Sequence, residues 1–285
     1  MIVRSLLFVP ADSERKIAKA GDGDADALIL DLEDSVAPNA KAAARDHVRD
    51  ATCGKPLLVR INPLPLGMAD DDLSAALASR PFAVVLPKAN DGADVAALDA
   101  LLAVHETEAG IVEGTTRILA IATETAAGTL AASSHADVSD RLWGLTWGAE
   151  DLAADIGALA KRRPDGTYRD TFRFARVQAL LGAVAARVEP VDTVYPDFRN
   201  ADGFRRECEE AVLDGFTAKM AIHPAQVPVI NQAFTPSAEA VAEARAVLAA
   251  FEAADNAGVV SLDGRMLDRP HLVNARKVLA RVSPA

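Results

Sequence analysis

The sequence has few cysteines, no excess of positive charge and no long apolar run, and each absence excludes a class of protein. The two cysteines, Cys53 and Cys208, have neither the number nor the spacing of a disulfide framework or a zinc site, so we expect a reducing, cytoplasmic compartment. The 41 acidic and 30 basic residues give a formal net charge of −11, which provides no domain-wide positive field for nucleic acid. The opening apolar run, Leu6 to Val9, is broken by Pro10 and is too short for a signal peptide or a membrane span.

Short apolar segments alternate with Ala-rich helical stretches along most of the chain. Half of the 285 residues are hydrophobic, which is enough for one large core, and this length suits a single α/β barrel with an appendage. Eight segments have the length and composition of buried strands: SLLFVP, ALILDLED, LLVRINP, AVVLPK, RILAIATE, LWGLTWGAED, VDTVYPD and GFTAKMAIHP. We therefore predict a (β/α)8 TIM barrel over residues 1–235 and a C-terminal helical and hairpin lid over residues 236–285.

A doubly wound open sheet is the alternative way to arrange alternating strands and helices. That fold usually binds a phosphate at a Gly-rich turn after its first strand. Here the first strand runs into VPADSER, which has no glycine. The barrel is therefore the favoured fold, and its active site is expected at the C-terminal ends of the strands.

Two carboxylates are predicted to reach the same rim of this barrel. Glu124 in IATETAAG and Asp151 in GLTWGAEDLAADIG each follow an apolar run and precede small, helix-forming residues. About one βα unit separates them, so neighbouring strands can bring both to one ion. Two carboxylates without a nearby His or Cys suit a hard cation, above all Mg²⁺. The alternative is that Asp151 only stabilises the first turn of a helix.

Other charged residues follow the second, third and fourth strands. Arg60 offers a planar fork of donors for a substrate carboxylate or a developing enolate oxygen, or alternatively an ion pair with Glu33 or Asp34. Lys88 could form a Schiff base, but among carboxylates its pKa should stay high, so a substrate-binding cation is favoured. Glu33 and Asp34 either steady metal-bound waters or begin a helix. A convergent set of acids and cations is typical of barrel enzymes.

The extension after the eighth strand has helix and turn signals of its own. Ser237 is a suitable N-cap for an Ala-rich helix that ends near Asp255. The Asp-Gly pair in SLDGRMLD marks a hairpin turn, and Pro270 opens a final helix. Asp268 lies between that turn and that helix, where it either caps the helix or has a functional role.

A series of motifs occurs in order over nearly the whole chain: RSLLFVPADSERK, LILDLEDSV, VRINP, LPKA, ATETAAG, WGAEDLAADIG and GFTAKMAIHPAQVPVINQAFTPS. Together they resemble the citrate lyase β-subunit-like family, within the HpcH/HpaI aldolase/citrate lyase superfamily and related to malyl-CoA, citramalyl-CoA and β-methylmalyl-CoA lyases. The resemblance implies a carbon–carbon lyase that forms a homotrimer of (β/α)8 barrels. It also implies that Mg²⁺ is held by Glu124 and Asp151.

The same resemblance implies roles for further residues. Arg60 is expected to bind the carbonyl or carboxylate region of the substrate, and Glu33 and Asp34 to support the metal-bound waters. Asp268, in the lid segment DGRMLDRP, is expected to serve a neighbouring subunit's site as acid or base.

The predicted reaction is the reversible, Mg²⁺-dependent cleavage of a 3-hydroxyacyl-CoA between C2 and C3 to an acyl-CoA and an α-keto acid. It requires removal of a proton from the hydroxyl group, a place for the keto acid and stabilisation of the thioester enolate. Whether the acyl group is malyl, citramalyl, β-methylmalyl or citryl depends on pocket shape, because one methyl group is worth only about 1–3 kcal/mol of discrimination.

Three other functions are weighed against this one. A citrate lyase β subunit would act on a citryl-acyl-carrier protein together with α and acyl-carrier subunits. A metal-dependent aldolase of free keto acids usually has a histidine base, and only His223 approaches that position, where the following Pro224 favours a structural role. A structural scaffold is least favoured, because it needs no acids and cations at one rim.

Overall fold

The centre of the structure is a closed barrel of eight parallel strands, which confirms the predicted fold. The computed structural model describes residues 2–255 and 257–282. The strands are β1 (Ser5–Pro10), β2 (Ala27–Asp31), β3 (Leu57–Arg60), β4 (Ala83–Leu86), β5 (Arg117–Ile121), β6 (Leu142–Thr146), β7 (Glu189–Asp192) and β8 (Ala218–Ala221). Each strand pairs with the next in sequence, and β8 closes the barrel against β1 with Met220 beside Leu6.

Helices follow the strands, and local side chains cap the N-termini of some of them. The Asp91 carboxylate, for example, accepts hydrogen bonds from the N–H groups of Ala93 and Asp94 at the start of one long helix. The helices of residues 3–234 are α1 (Glu14–Gly21), α2 (Lys41–Arg49), α3 (Ala69–Ala78), α4 (Gly92–Glu108), α5 (Ala126–Ala131), α6 (Ala149–Asp155), α7 (Asp170–Ala186), α8 (Ala201–Asp214) and α9 (Val227–Phe234). Among the residues that the structure describes, no helix is both long and apolar enough to cross a membrane.

Strand side chains alternate between the barrel interior and the helix layer. One cluster, inside the barrel, includes Ala27, Ile29, Leu58, Val85, Leu119, Val191, Ala218 and Met220. A second cluster joins outward-facing strand residues to α3 and α4, and includes Val84, Ile118, Leu145, Leu73, Leu98 and Leu102. Because both faces of the strands are buried, their sequences are nearly continuous apolar runs, and the polar residues that follow them gather at one rim.

The segment from Gln232 onward forms most of a second compact unit, separate from residues 3–231. It contains α10 (Ala238–Ala253), the antiparallel strands β9 (Val259–Leu262) and β10 (Arg265–Asp268), and α11 (Arg269–Ala280). The Ser237 side chain accepts from the Ala240 N–H at 3.1 Å. Asp263 and Gly264 both have positive φ, as a two-residue hairpin turn requires. The predicted helix and hairpin are therefore confirmed.

Candidate active site

A cavity of about 400 Å³ opens at the rim where the barrel strands end. Its charged lining comes from residues that end or follow β2, β3, β5 and β6, namely Asp31, Asp34, Arg60, Glu124, Glu150 and Asp151. A groove of similar volume near Ile156 and Phe172 has Arg169 as its single charged lining residue. Acid–base and metal chemistry need several charged groups together, so the rim cavity is the candidate active site.

Arg60, the last residue of β3, is clamped by carboxylates. Its Nε and Nη2 donate to the two oxygens of Asp31, each at 2.7 Å, and its Nη1 lies 2.9 Å from Oε2 of Glu33. The guanidinium carbon also lies 4.9 Å from the centre of the Phe8 ring. Burial opposes the charge, but the hydrogen bonds and charge of Asp31 raise the pKa of Arg60 above its usual range. Arg60 is therefore a fixed, permanent cation at the rim.

Asp31 is the site residue that the sequence analysis missed. It is the last residue of β2 and shares the interior strand positions of Ala27 and Ile29, so an acid at the end of that alternation was the available signal. It also accepts from the N–H of Glu33 at 2.9 Å, which orders the turn that carries Glu33 and Asp34. Burial opposes its charge, but the hydrogen bonds and charge of Arg60 hold the pKa of Asp31 below its usual range.

Lys88 joins the acids of β2 to those of β5 and β6. Its Nζ lies 2.6 Å from Oε1 of Glu33, 3.1 Å from Oδ1 of Asp151 and 3.9 Å from Oδ2 of Asp34. Its backbone has a positive φ of 51°, uncommon for a residue with a side chain, and its N–H donates to Oε2 of Glu124 at 2.8 Å. Burial opposes the ammonium charge, but Glu33, Glu124 and Asp151 raise the pKa of Lys88 above its usual range. An ammonium group of this kind acts as a cation and not as a Schiff-base nucleophile.

Glu33 and Asp34 differ sharply in burial although they are adjacent. Glu33 is 4% exposed, and burial raises its pKa in spite of the positive charges of Arg60 and Lys88. The Asp34 side chain is 62% exposed and lies 4.0 Å from Arg60 Nη1 and 3.9 Å from Lys88 Nζ. Glu33 is thus part of the buried charge network, whereas Asp34 is open to solvent and to small molecules.

Glu124 and Asp151 have the chemistry of a divalent-cation site. Burial first, and then the negative charge of Asp151, raise the pKa of Glu124 to about 8, so a cation between the two carboxylates would relieve an existing repulsion. Within residues 2–255 and 257–282, no group of three or more His, Cys, Asp or Glu side chains surrounds a common metal position. Two carboxylates as the only such protein ligands suit Mg²⁺, which usually keeps several water or substrate oxygens.

Gly148 allows the start of α6 to approach Glu124 closely. A Cβ atom at this position would lie 2.6 Å from Cγ and 2.7 Å from Oε1 of Glu124. Such distances are far shorter than a carbon–carbon or carbon–oxygen contact allows. Any larger residue here would therefore displace the Glu124 side chain, and the sequence alone offered no reason to select this glycine.

The remaining candidates are Asp268 and His223. Asp268 belongs to the C-terminal unit, directly before α11, and its Oδ1 lies 2.6 Å from Nδ1 of His271. His223 follows β8, accepts from the Ala225 N–H at 3.2 Å and stacks on Phe198 with ring centres 4.7 Å apart. The structure thus brings Arg60, Lys88, Glu33, Asp34, Glu124 and Asp151 together at the barrel rim, and it places Asp268 in the other unit.

A closed parallel barrel with acids and cations at its C-terminal rim defines a (β/α)8-barrel enzyme. The family model for HpcH/HpaI aldolase/citrate lyase matches residues 4–224. The chain belongs to this family and is a carbon–carbon lyase.

Comparisons over the full length agree with this assignment. The chain is 38% identical over 282 residues to the citrate lyase subunit beta-like protein of Mycobacterium tuberculosis (strain ATCC 25618 / H37Rv), covering 98% of this chain and 95% of that protein. It is 35% identical over 285 residues to the (3S)-malyl-CoA thioesterase of Cereibacter sphaeroides (strain ATCC 17025 / ATH 2.4.3), covering 98% and 94%. The crystal structure of CitE from Mycobacterium tuberculosis with magnesium, acetoacetate and coenzyme A has a TM-score of 0.80 and 37% identity over 98% of both chains.

Proposed function

We propose that the chain cleaves a 3-hydroxyacyl-CoA between C2 and C3, reversibly and with Mg²⁺, to an acyl-CoA and an α-keto acid. The observation that carries the proposal is the rim cavity, whose lining includes two carboxylates, Glu124 after β5 and Asp151 in the first turn of α6, together with the clamped guanidinium of Arg60. The magnesium, acetoacetate and coenzyme A in the related CitE structure support the same choice of cofactor and substrate class.

Arg60 binds the carboxylate or carbonyl region of the keto-acid half. Arginine has five N–H donors, and Asp31 and Glu33 engage at most three of them, so at least two remain for substrate oxygens. Its charge is fixed before the substrate arrives, so oxyanion development costs no reorganisation of this group. Lys88 adds a second positive charge, which offsets part of the negative charge of the acidic rim.

Glu124 and Asp151 would hold the metal ion, and Glu33 and Asp34 would accept hydrogen bonds from the water molecules around it. When bound, Mg²⁺ supplies Lewis-acid and template chemistry for the carboxylate and the adjacent oxygen of the substrate. Asp268 takes a proton from the α-carbon of the acyl-CoA in the condensation direction and returns it in cleavage. We infer that it does so in the barrel of a neighbouring copy, within a homotrimer.

The test is a cleavage assay on malyl-CoA, citramalyl-CoA, β-methylmalyl-CoA and citryl-CoA, with and without EDTA. We expect one thioester to release keto acid only with Mg²⁺, and Glu124→Ala and Asp151→Ala each to abolish the release. Glu113→Ala is the matched control, because Glu113 is an exposed carboxylate before β5, at the opposite end of the barrel. Keto-acid release that persists in both site variants would exclude these carboxylates as the metal ligands.

The names of the relatives support one alternative reaction and one alternative substrate. A thioesterase, as in the Cereibacter sphaeroides relative, would release free CoA and leave the hydroxy acid intact. A citrate lyase β subunit would act on a citryl-acyl-carrier protein with separate α and carrier subunits, as the likeness to a citrate lyase subunit beta-like protein suggests. If the protein cleaves none of the four CoA thioesters but does cleave the carrier-bound substrate, the second alternative is favoured.

A further inference from the structure

A buried pair of charges lies behind the candidate active site, on the outer face of the barrel strands. Asp192 on β7 and Lys219 on β8 are register partners, and both side chains have no solvent exposure. Their strand neighbours Val191, Ala218 and Met220 belong to the interior cluster. Because side chains alternate along a strand, Asp192 and Lys219 point outward into the helix layer.

Asp192 is the central acceptor of this charge cluster. Its Oδ2 accepts from Lys219 Nζ at 2.7 Å, and its Oδ1 accepts from Trp147 Nε1 at 2.7 Å and from Arg176 Nε at 3.3 Å. Glu207 on α8 accepts a second hydrogen bond from Lys219 at 3.1 Å. Burial opposes ionisation, but the charges of Lys219 and Arg176 hold the pKa of Asp192 below its usual range. An indole N–H can only donate, so this carboxylate fixes the orientation of Trp147.

Trp147 connects the charge cluster to the proposed metal ligands. It directly follows β6, it is fully buried, and its ring meets Tyr168 edge-on with centres 5.1 Å apart. Gly148 comes next and lies against Glu124, and Asp151 is in the first turn of α6. A shift of the indole would therefore move the start of this helix and the carboxylate of Asp151.

We propose that Asp192 and Lys219 are positioning residues, which hold Trp147 and, through it, the segment Gly148–Asp151 in the geometry that brings Asp151 to Glu124. Neither Asp192 nor Lys219 lines the cavity, whereas Trp147, which donates to Asp192, does. A buried ion pair contributes little net stability compared with an apolar pair of similar size, but it directs each donor to one acceptor. The Mg²⁺ affinity and the catalytic consequence of this positioning rest on the proposed function, whereas the amide exchange of residues 148–155 does not.

The test measures hydrogen–deuterium exchange of the amides of residues 148–155 by mass spectrometry, and Mg²⁺ affinity by calorimetric titration with MgCl₂. Asp192→Asn removes the charge of the acceptor, and Trp147→Phe removes the donor but keeps the aromatic packing. We expect both variants to exchange about tenfold faster in this segment and to bind Mg²⁺ about tenfold more weakly, as for the loss of one hydrogen bond. The losses in the double variant should be less than the sum of the two single losses, because both substitutions act on the same Trp147–Asp192 contact.

Glu106→Gln is the matched control. Glu106 is also a fully buried carboxylate, its Oε2 lies 2.8 Å from Arg141 Nη2, and it accepts from the Thr116 N–H at the N-terminal end of the barrel. This variant should lower the thermal stability of the protein. It should change neither the amide exchange of residues 148–155 nor the Mg²⁺ affinity. Trp147→Phe keeps the Asp192–Lys219 ion pair, so it tests the link even if Asp192→Asn does not fold.

Unchanged exchange at residues 148–155 in Trp147→Phe, or equal acceleration in Glu106→Gln, would overturn the positioning role. Failure of the proposed function looks different. If the wild-type protein cleaves no thioester while Trp147→Phe still accelerates exchange in this segment and Glu106→Gln does not, the positioning role stands and the substrate assignment falls.

Discussion

Arg60 and Asp31 form a doubly hydrogen-bonded ion pair across β3 and β2, in which both carboxylate oxygens accept from the guanidinium at 2.7 Å. The pair lies at the rim of the candidate active site, and Oε2 of Glu33 lies 2.9 Å from the third guanidinium nitrogen. Asp31 therefore fixes the plane of the guanidinium, so that the remaining N–H groups present a preformed fork to the substrate.

Arg60→Lys should reduce kcat/KM for thioester cleavage by about 10²–10³-fold, because an ammonium keeps the charge but cannot form the paired hydrogen bonds. The measurement is steady-state cleavage at saturating Mg²⁺. Arg4→Lys is the matched control, since Arg4 forms a similar two-bonded pair with Asp26, at 2.8 Å, at the other end of the barrel. Equal losses in the two variants would mean that Arg60 has only a structural role.

Asp31→Asn should destabilise the protein in a pH-dependent way. Near pH 6 we expect a loss of about 3–5 kcal/mol in the free energy of unfolding, because a partner of a buried charge is removed. The folded-state pKa of Asp31 lies below its unfolded value of about 3.9, so its contribution is complete above that pH and is lost as pH falls through the folded pKa.

Urea unfolding of both proteins between pH 6 and pH 3 measures this difference. The difference in free energy of unfolding between wild type and Asp31→Asn should be constant above about pH 5 and should decrease toward pH 3. If this difference instead increases as the pH falls, the Asp31 carboxyl is not held ionised by Arg60.

The fold could be predicted because each strand of a closed parallel barrel is buried on both faces, and eight short apolar runs were visible in the sequence. The rule that strand ends meet at one rim then selected Arg60, Lys88, Glu124 and Asp151, which the structure brings together. Asp31 was missed because it looks like the end of an apolar run. Trp147, Asp192 and Lys219 were missed because their contacts depend on strand register and side-chain direction, which a single sequence does not contain.

Gly148→Ala should weaken Mg²⁺ binding by about tenfold or more, because the new methyl group would displace Glu124 from its place beside Asp151. The backbone at Gly148 has a φ of −137°, which alanine adopts freely, so the effect is steric. Calorimetric titration with MgCl₂ measures it. Gly54→Ala is the control, since nothing lies within 4 Å of a Cβ there. Wild-type affinity in Gly148→Ala would show that the position of Glu124 does not govern metal binding.

Asp268→Asn should reduce kcat by about 10²-fold or more and leave Mg²⁺ affinity unchanged, because it removes a proposed acid–base group and no metal ligand. It should also stop exchange of the acetyl-CoA methyl protons with D₂O. Asp263→Asn, in the hairpin turn of the same unit, is the matched control. Wild-type turnover in Asp268→Asn would exclude Asp268 as the base.

Mixing inactive Asp268→Asn chains with inactive Glu124→Ala chains tests whether Asp268 serves a neighbouring copy. If it does, subunit exchange produces some sites with an intact barrel and an intact Asp268, and activity returns. No recovery in mixtures shown to contain both chains would mean that Asp268 acts within its own chain.

The central claim, Mg²⁺-dependent carbon–carbon cleavage at the rim cavity, is tested most directly by the product balance of the thioester that the panel identifies. We predict equal amounts of α-keto acid and acyl-CoA, no free CoA thiol, and no product of either kind after EDTA treatment or in Glu124→Ala. Release of free CoA with the hydroxy acid intact, or full keto-acid release in EDTA, would contradict the account.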